Sequence, residues 1–264
     1  MKNKVFIITG CSSGLGWELA LQLNALGVKV AGIARRDENL QKLTGIVTNP
    51  DHLLTIKGDI TIDSDCQKLI DATIQKFGQI DGIIVNAGIS MKGHTLDLGL
   101  DLYRKTMETN YFAAINLIQK AYVHIQKQSG HIIIIGSLLG LIPFPYRAGY
   151  VASKHALISW AETLKIELKG QNIGVHFMTV FCGYMRTEIS GKSLTNDPSL
   201  IKGNSEGSQK GSDPKVVASK IIKGIEKCKT TLYPIKTNEK ILFCLNKLSP
   251  LLIEKIYLSK QTLK

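Results

Sequence analysis

Thr9-Gly10-Cys11-Ser12-Ser13-Gly14-Leu15-Gly16 is the stretch on which the reading of this chain turns. Before it, Val5–Thr9 is a short apolar, β-branched run that predicts a strand. After it, residues 15–25 carry apolar side chains at helical spacing and stop before Gly27, which predicts a helix. Glycines between a strand and a helix let the backbone turn sharply and bring its N–H groups close to an anion. The N-terminus of the following helix adds a favourable dipole, so the turn reads as a phosphate cradle. An ordinary strand-to-helix turn is the competing reading of the motif alone.

Outward from this turn the chain alternates. Strands are predicted at 28–34, Leu53–Lys57, 80–85, 131–135, 174–181 and 230–234. Helices are predicted at 37–47, with Asp37 as N-cap, at Asp63–Phe77, and as one long helix over 102–126. Further helices are predicted at 149–168 and at 214–227, the last capped by Asp213 with Pro214 in its first turn. Strands that are apolar throughout and separated by helices predict a single Rossmann-like, doubly wound parallel sheet with helices on both faces. Residues 186–213 are rich in Ser, Gly, Asn and Lys and read as a lid over a site. Residues 1–235 read as one domain, followed by a basic amphipathic helical tail at 236–264.

Composition narrows the class. The chain has 264 residues, 44% of them hydrophobic and 20% charged, which fits a globular protein with a sizeable core. Its net charge of +12 comes from lysines spread along the chain, not clustered with aromatic residues, so no nucleic-acid partner is expected. Cys11, Cys66, Cys182, Cys228 and Cys244 are odd in number and form no CxxC pair; neither a disulfide framework nor a metal site is predicted. The first apolar run is too short for a signal peptide, and no stretch reaches transmembrane length. A reducing, cytoplasmic setting is the expectation.

The glycine turn is spelled TGxxxGxG, and further marks follow it in order. Asn86-Ala87-Gly88 follows the fourth strand, Asn110 lies in the next helix, and Ser137 ends the fifth strand. Tyr150-Val151-Ala152-Ser153-Lys154 is a YxxxK motif, and Cys182-Gly183 leads to Thr187. Each mark is weak alone. At these spacings, over about two thirds of the chain, the set closely resembles the short-chain dehydrogenase/reductase family. The resemblance implies hydride transfer between a nicotinamide cofactor and a carbonyl or alcohol carbon. It implies Ser137, Tyr150, Lys154 and Asn110 as the catalytic set, with Asn110 holding a proton-relay water. For the cofactor it implies Gly10, Ser12, Ser13, Gly14, Leu15, Gly16, Asn86, Ala87, Gly88, Tyr150, Lys154, Gly183 and Thr187. Asp59-Ile60 resembles the adenine-binding pair, although Asp59 also suits a turn. A homodimer or homotetramer, paired through the helices that carry Asn110 and Tyr150, is implied as well.

The residues themselves support that chemistry. Reducing a ketone leaves an alkoxide that needs a proton and a stabilised oxygen. Tyrosine's pKa of about 10 must fall by about three units, or roughly 4 kcal/mol, for ready exchange near neutrality. An ammonium about 4 Å away supplies that much at an effective dielectric of about 20. Lys154 is four residues beyond Tyr150, on the same helical face. Tyr150 is then general acid or base, and Ser137 donates a hydrogen bond to the substrate oxygen.

The second predicted strand ends Ala34-Arg35-Arg36, with no acid to grip a ribose hydroxyl. A guanidinium suits a 2′-phosphate, so the expectation is NADP(H), with Arg35 the main contact and Arg36 near the adenine. Asp37 gripping the ribose is the alternative. Cys182 stands where the family carries proline, which should loosen that segment; a buried filler is its expected role. Leu139, Ile142, Phe144, Tyr146, Tyr184 and Met185 are candidate lining residues, and their apolar character suggests an apolar carbonyl substrate. The tail carries six lysines and two glutamates among apolar residues and is split at Pro250. It reads as a cover for the pocket, a subunit contact, or a peripheral membrane contact. A non-catalytic NADP(H)-binding regulator on the same fold is the alternative to an enzyme.

Overall fold

The computed structural model describes residues 1–201 and 211–259. Seven strands form one parallel sheet: β1 (Val5–Thr9), β2 (Lys29–Ala34), β3 (Leu53–Lys57), β4 (Gly82–Val85), β5 (His131–Ser137), β6 (His176–Cys182) and β7 (Thr231–Leu232). Their order across the sheet is β3-β2-β1-β4-β5-β6-β7. The order reverses between β1 and β4, and a ligand crevice is expected beyond the strand ends at that point.

The strands are apolar on both faces because both faces are covered. Phe6 and Ile8 of β1 and Ile133 and Ile135 of β5 pack into one core. Two helices close that side, α1 (Gly14–Ala25) and α2 (Asp37–Ile46), through Leu19, Leu23, Leu40 and Leu43. Ile7, Ile132 and Ile134 point the other way, against α3 (Asp63–Phe77), with Leu69 and Ile70 buried there. On the same side lie α4 (Leu100–Met107), α5 (Ala113–Lys127) and α6 (Ala148–Gly170), the last two contributing Leu117, Ile125, Leu157 and Ala161 to this second core. Back on the first side, α7 (Pro214–Glu226) buries Val217, Ile221 and Ile225 beside α1. Asp213 caps α7 as expected, its carboxylate accepting from Lys215 N at 2.9 Å. Two tail helices follow, α8 (Thr237–Leu248) and α9 (Pro250–Ser259), separated at Pro250 as its missing N–H dictates.

Two expectations need correction. The helix predicted over 102–126 is interrupted: a π-helical turn at Glu108–Phe112 joins α4 to α5. A single extra residue in the turn shifts the helical phase there, as is common at functional positions. Asp37 is not the N-cap of α2; Arg36 holds that position, and Asp37 is the first helical residue, its carboxylate accepting from Gln41 at 3.2 Å. Of the segment 186–213, residues 202–210 lie outside the described residues, as do 260–264 of the tail. A short 3-10 turn at Pro198–Ile201 is its helical element among the described residues.

Candidate active site

Thr9 fastens the crevice at the switch point. Its buried hydroxyl accepts from the backbone N–H groups of Asn86 and Ala87, both at 2.9 Å, and Asn86 Nδ2 donates to Thr9 O at 2.9 Å. The loops after β1 and β4 therefore form one wall. Gly10 and Gly14 hold φ of +70° and +56°, backbone geometry that a Cβ would strain. A Cβ at Gly16 would run into the Gly10 carbonyl and the Asn86 side chain, so this position is needed for packing; it does not line the cavity. A Cβ at Gly14 would stand 3.0 Å from Thr187 Cγ2, which sets Thr187 above the turn.

Past this turn runs a cavity of about 400 Å³. Its wall includes Gly10, Ser12, Ser13, Gly14 and Leu15, then Arg35, Arg36, Asp59 and Ile60, then Asn86, Ala87 and Gly88. Ser137, Tyr150, Lys154, Gly183 and Thr187 complete the same wall. Of the expected apolar residues, Leu139, Ile142, Phe144, Tyr184 and Met185 line it. Tyr146 does not; it takes a positive φ of 61° and turns its ring toward His94.

The π-helical turn buries Asn110 behind that wall. Its Oδ1 accepts from Ile89 N at 2.8 Å, and its Nδ2 donates to Ile89 O and to Ser153 Oγ, both at 2.9 Å. The Asn110 side chain thus fixes the loop after β4 to α6. A Cβ at Gly88 would lie 3.1 Å from Asn110 Oδ1 and 3.6 Å from Lys154 Nζ, so these three groups are neighbours.

Tyr150 opens into the cavity from the first turns of α6, where the Ser137 hydroxyl acts on its phenol. The lowering of the phenol expected from Lys154 is not what the site favours: burial raises it above its ordinary pKa, while the Ser137 hydroxyl and the charge of Arg147 pull the other way. Lys154 Nζ donates to Ile135 O at 3.0 Å, and burial draws its pKa down to about 8. Cys182 is the buried filler expected of it. It ends β6, pairs in register with Ser137, and is buried, which pushes its thiol up to about 12. A thiol so high is a packing group, not a nucleophile.

The two arginines after β2 differ. Arg35 Nη1 lies 3.6 Å from Asp59 Oδ2, and its side chain is mostly exposed. Arg36 reaches back across the phosphate turn: Nε and Nη2 lie 3.3 and 3.2 Å from Ser12 Oγ, and Nη2 also donates to Ser13 Oγ. Its Nη1 pairs with Glu188 at 2.9 Å. Asp59 also holds a turn, with Oδ1 accepting from Thr61 N and Oγ1 at 3.0 and 2.9 Å.

These residues fit a dinucleotide. Glycines clear the approach to the helix N-terminus, the first turn of α1 carries no acidic residue, and two guanidinium groups flank the end of β2.

Three groups escaped the sequence reading. Glu239 of α8 is buried in the cavity wall, its two oxygens accepting from Tyr184 N at 2.6 Å and Lys236 N at 2.7 Å. Leu242, one turn on, lines the cavity too, so α8 is a cover for the pocket. The signal available was one acid in the first turn of a lysine-rich helix. The third group is Arg147, buried at the start of α6. A lone arginine beside an apolar run gives no sign in sequence of being buried.

A family model described as short chain dehydrogenase matches residues 4–198. The chain belongs to the short-chain dehydrogenase family. Among curated relatives of this family, a dehydrogenase/reductase SDR family protein 7-like from Dictyostelium discoideum is 36% identical over 77% of this chain and 66% of its own length. Dehydrogenase/reductase SDR family member 7B from Danio rerio is 32% identical over 85% of this chain and 75% of its own. Member 7 from Homo sapiens is 33% identical over 77% of this chain and 62% of its own. The short-chain dehydrogenase chain thus spans about two thirds of the length of such relatives. Levodione reductase has the same fold, with a TM-score of 0.79 at 23% identity, covering 89% of this chain and 97% of that one. So does a 3-ketoacyl-(acyl-carrier-protein) reductase from Brucella melitensis, with a TM-score of 0.76 at 20% identity over 88% and 96%.

Proposed function

We propose that this short-chain dehydrogenase is an NADP(H)-dependent oxidoreductase acting on carbonyl and alcohol groups. One observation carries the reading. A single cavity holds the phosphate turn and the arginine pair together with Ser137, Tyr150 and Lys154. A regulator that only binds the dinucleotide has no need of those three groups.

The turn at Gly10–Leu15 and the N-terminus of α1 would hold the pyrophosphate, with Thr187 above it. Arg36, already lying across Ser12 and Ser13, is the better placed of the two guanidinium groups for a 2′-phosphate; Arg35 flanks the Asp59 side. Asp37 is absent from the cavity wall, which favours this over a ribose grip by that carboxylate. When bound, the nicotinamide supplies or accepts the hydride.

The chain's own groups handle the oxygen. In reduction, the Ser137 hydroxyl donates to the substrate carbonyl oxygen and Tyr150 delivers its phenolic proton as negative charge develops there. A phenol raised by burial is protonated at neutral pH, as a donor must be. Lys154, four residues on and buried beside Gly88 and Asn110, stands on the inner side for proton resupply. Asn110 acts by holding the loop after β4 against α6. In oxidation the same phenol works as a base, which needs alkaline pH.

Leu139, Ile142, Phe144, Met185 and Leu242 support a substrate with an apolar body. All five cysteines are free thiols, which supports a cytoplasmic setting. Phe112, Val123 and Ile166 expose apolar surface on the helical layer of α5 and α6, which supports pairing through those helices. The test is oxidation of NADPH and of NADH against ketones, aldehydes, quinones and ketoacyl thioesters. Turnover with NADPH on one carbonyl class is expected; none on any class, with NADPH bound, would refute the reading.

A further inference from the structure

Arg147 is a buried cation with no carboxylate partner among the described residues. It is 8% exposed, sits at the N-cap position of α6 three residues before Tyr150, and forms part of the cavity wall. Nη1 donates to Ser90 Oγ at 2.6 Å and to Ser193 Oγ at 3.0 Å, both neutral partners. The carboxylates of the cavity wall are committed elsewhere. Asp59 serves Thr61 and Arg35, and Glu188 serves Arg36 and Lys192. Glu239 takes two backbone N–H groups. The ionisable groups whose fields reach Arg147 are Tyr184 and Tyr150, and Lys92 feels it as a like charge.

Bridging two serine hydroxyls does not call for a guanidinium. A glutamine would do it without the cost of burying an unpaired charge. Arginine offers five N–H donors in a planar fork, of which the serines engage one nitrogen. The remaining fork suits an oxyanion pair, and the cavity is where one can enter. Ser90 and Ser190 add hydroxyls to the wall, while Leu139, Ile142, Phe144 and Leu242 make apolar wall elsewhere. The cavity is therefore two-sided in chemistry.

We propose that Arg147 is the receptor for a carboxylate on the substrate, so that the enzyme acts on oxo acids, or the matching hydroxy acids, with an apolar body. This deepens the function proposed above and rests on it. Arg147 and Tyr150 stand three residues apart in the wall of one cavity, so they address one molecule, with the acid only a few carbons from the reacting carbonyl. The apolar substrate suggested by the lining residues alone becomes an apolar acid.

Binding and turnover test it separately. Phenylpropionate and phenylpropionamide, matched in shape, are titrated calorimetrically into the protein saturated with NADPH. The acid should bind about 10- to 100-fold tighter than the amide, the span of a charge-assisted pair. Arg147→Met should bring the two within about twofold, and Arg147→Lys, which keeps the charge but not the fork, should fall between. Equal affinity of acid and amide for the unaltered protein overturns the proposal, whatever the variants do. In parallel, NADPH oxidation is followed with benzoylpropionate and its amide. Turnover of both without preference overturns the carboxylate receptor and leaves the carbonyl reductase standing. Acid-selective binding with no carbonyl reduced refutes the reductase and confines Arg147 to an anion site.

Discussion

Replacing Arg36 by alanine separates the two nicotinamide cofactors. In the structure its guanidinium spends three donors on Ser12 and Ser13 and one on Glu188. A 2′-phosphate arriving there gains charge-assisted hydrogen bonds worth about 1.5–3 kcal/mol. The exposed pair with Glu188 must be surrendered, at a cost of about 0–1 kcal/mol. The net of about 0.5–3 kcal/mol corresponds to roughly 2- to 150-fold in Kd, with about 10- to 20-fold at its centre. Fluorescence titration of Arg36→Ala should show that loss for NADPH and less than about twofold for NADH, which lacks the phosphate. Glu188→Ala should act in the opposite direction and tighten NADPH by up to about fivefold, since it removes the competing carboxylate. Equal losses for NADPH and NADH in Arg36→Ala would refute the reasoning, as would weaker NADPH binding in Glu188→Ala.

Three further outcomes are expected. Glu239→Gln leaves one of two backbone N–H groups without its acceptor. It should lower stability to denaturant by roughly 1–3 kcal/mol and raise KM more than it lowers kcat; a silent variant would show that α8 does not shape the pocket. His131 is stacked between Phe6 and His176, and burial pulls its pKa down to about 4, whereas unfolded histidine titrates at about 6.5. Between those values the unfolded chain binds a proton that the folded chain refuses, so stability rises with pH through that window. After allowance for its partial exposure the effect is roughly 1–2 kcal/mol, and His131→Phe should flatten it in melts from pH 4 to 7.5. Light scattering should report a dimer or tetramer that Val123→Glu with Ile166→Glu converts to monomers; an unaltered mass would exclude that helical face.

Much of the fold was legible because the local signals agreed with one another. Val5–Thr9, Leu53–Lys57 and Asp63–Phe77 match their predicted bounds, since β-branched runs and capped amphipathic helices report burial directly. The π-helical turn at Glu108–Phe112 was not legible, because apolar spacing continues through it and one shifted residue leaves no composition signal. Order along the chain brought out the residues of the cavity wall, from Gly10 to Thr187. Side-chain direction was the part out of reach. Arg35 and Arg36 are adjacent in sequence, yet one turns toward Asp59 and the other across Ser12. Arg147 and Glu239 were hidden for a related reason. Charged residues read as solvated until the packing around them is known, and both are buried by contacts dozens of residues away.

The account stands on the Tyr150 hydroxyl, and Tyr150→Phe removes that oxygen while leaving the ring. NADPH oxidation with the best carbonyl substrate should fall by about 10²–10⁴-fold, the usual worth of a positioned acid. NADPH affinity, measured on the same preparation, should stay within about threefold. A variant that keeps its cofactor and reduces the carbonyl within tenfold of the parent rate would contradict the assignment of Tyr150 as the proton donor.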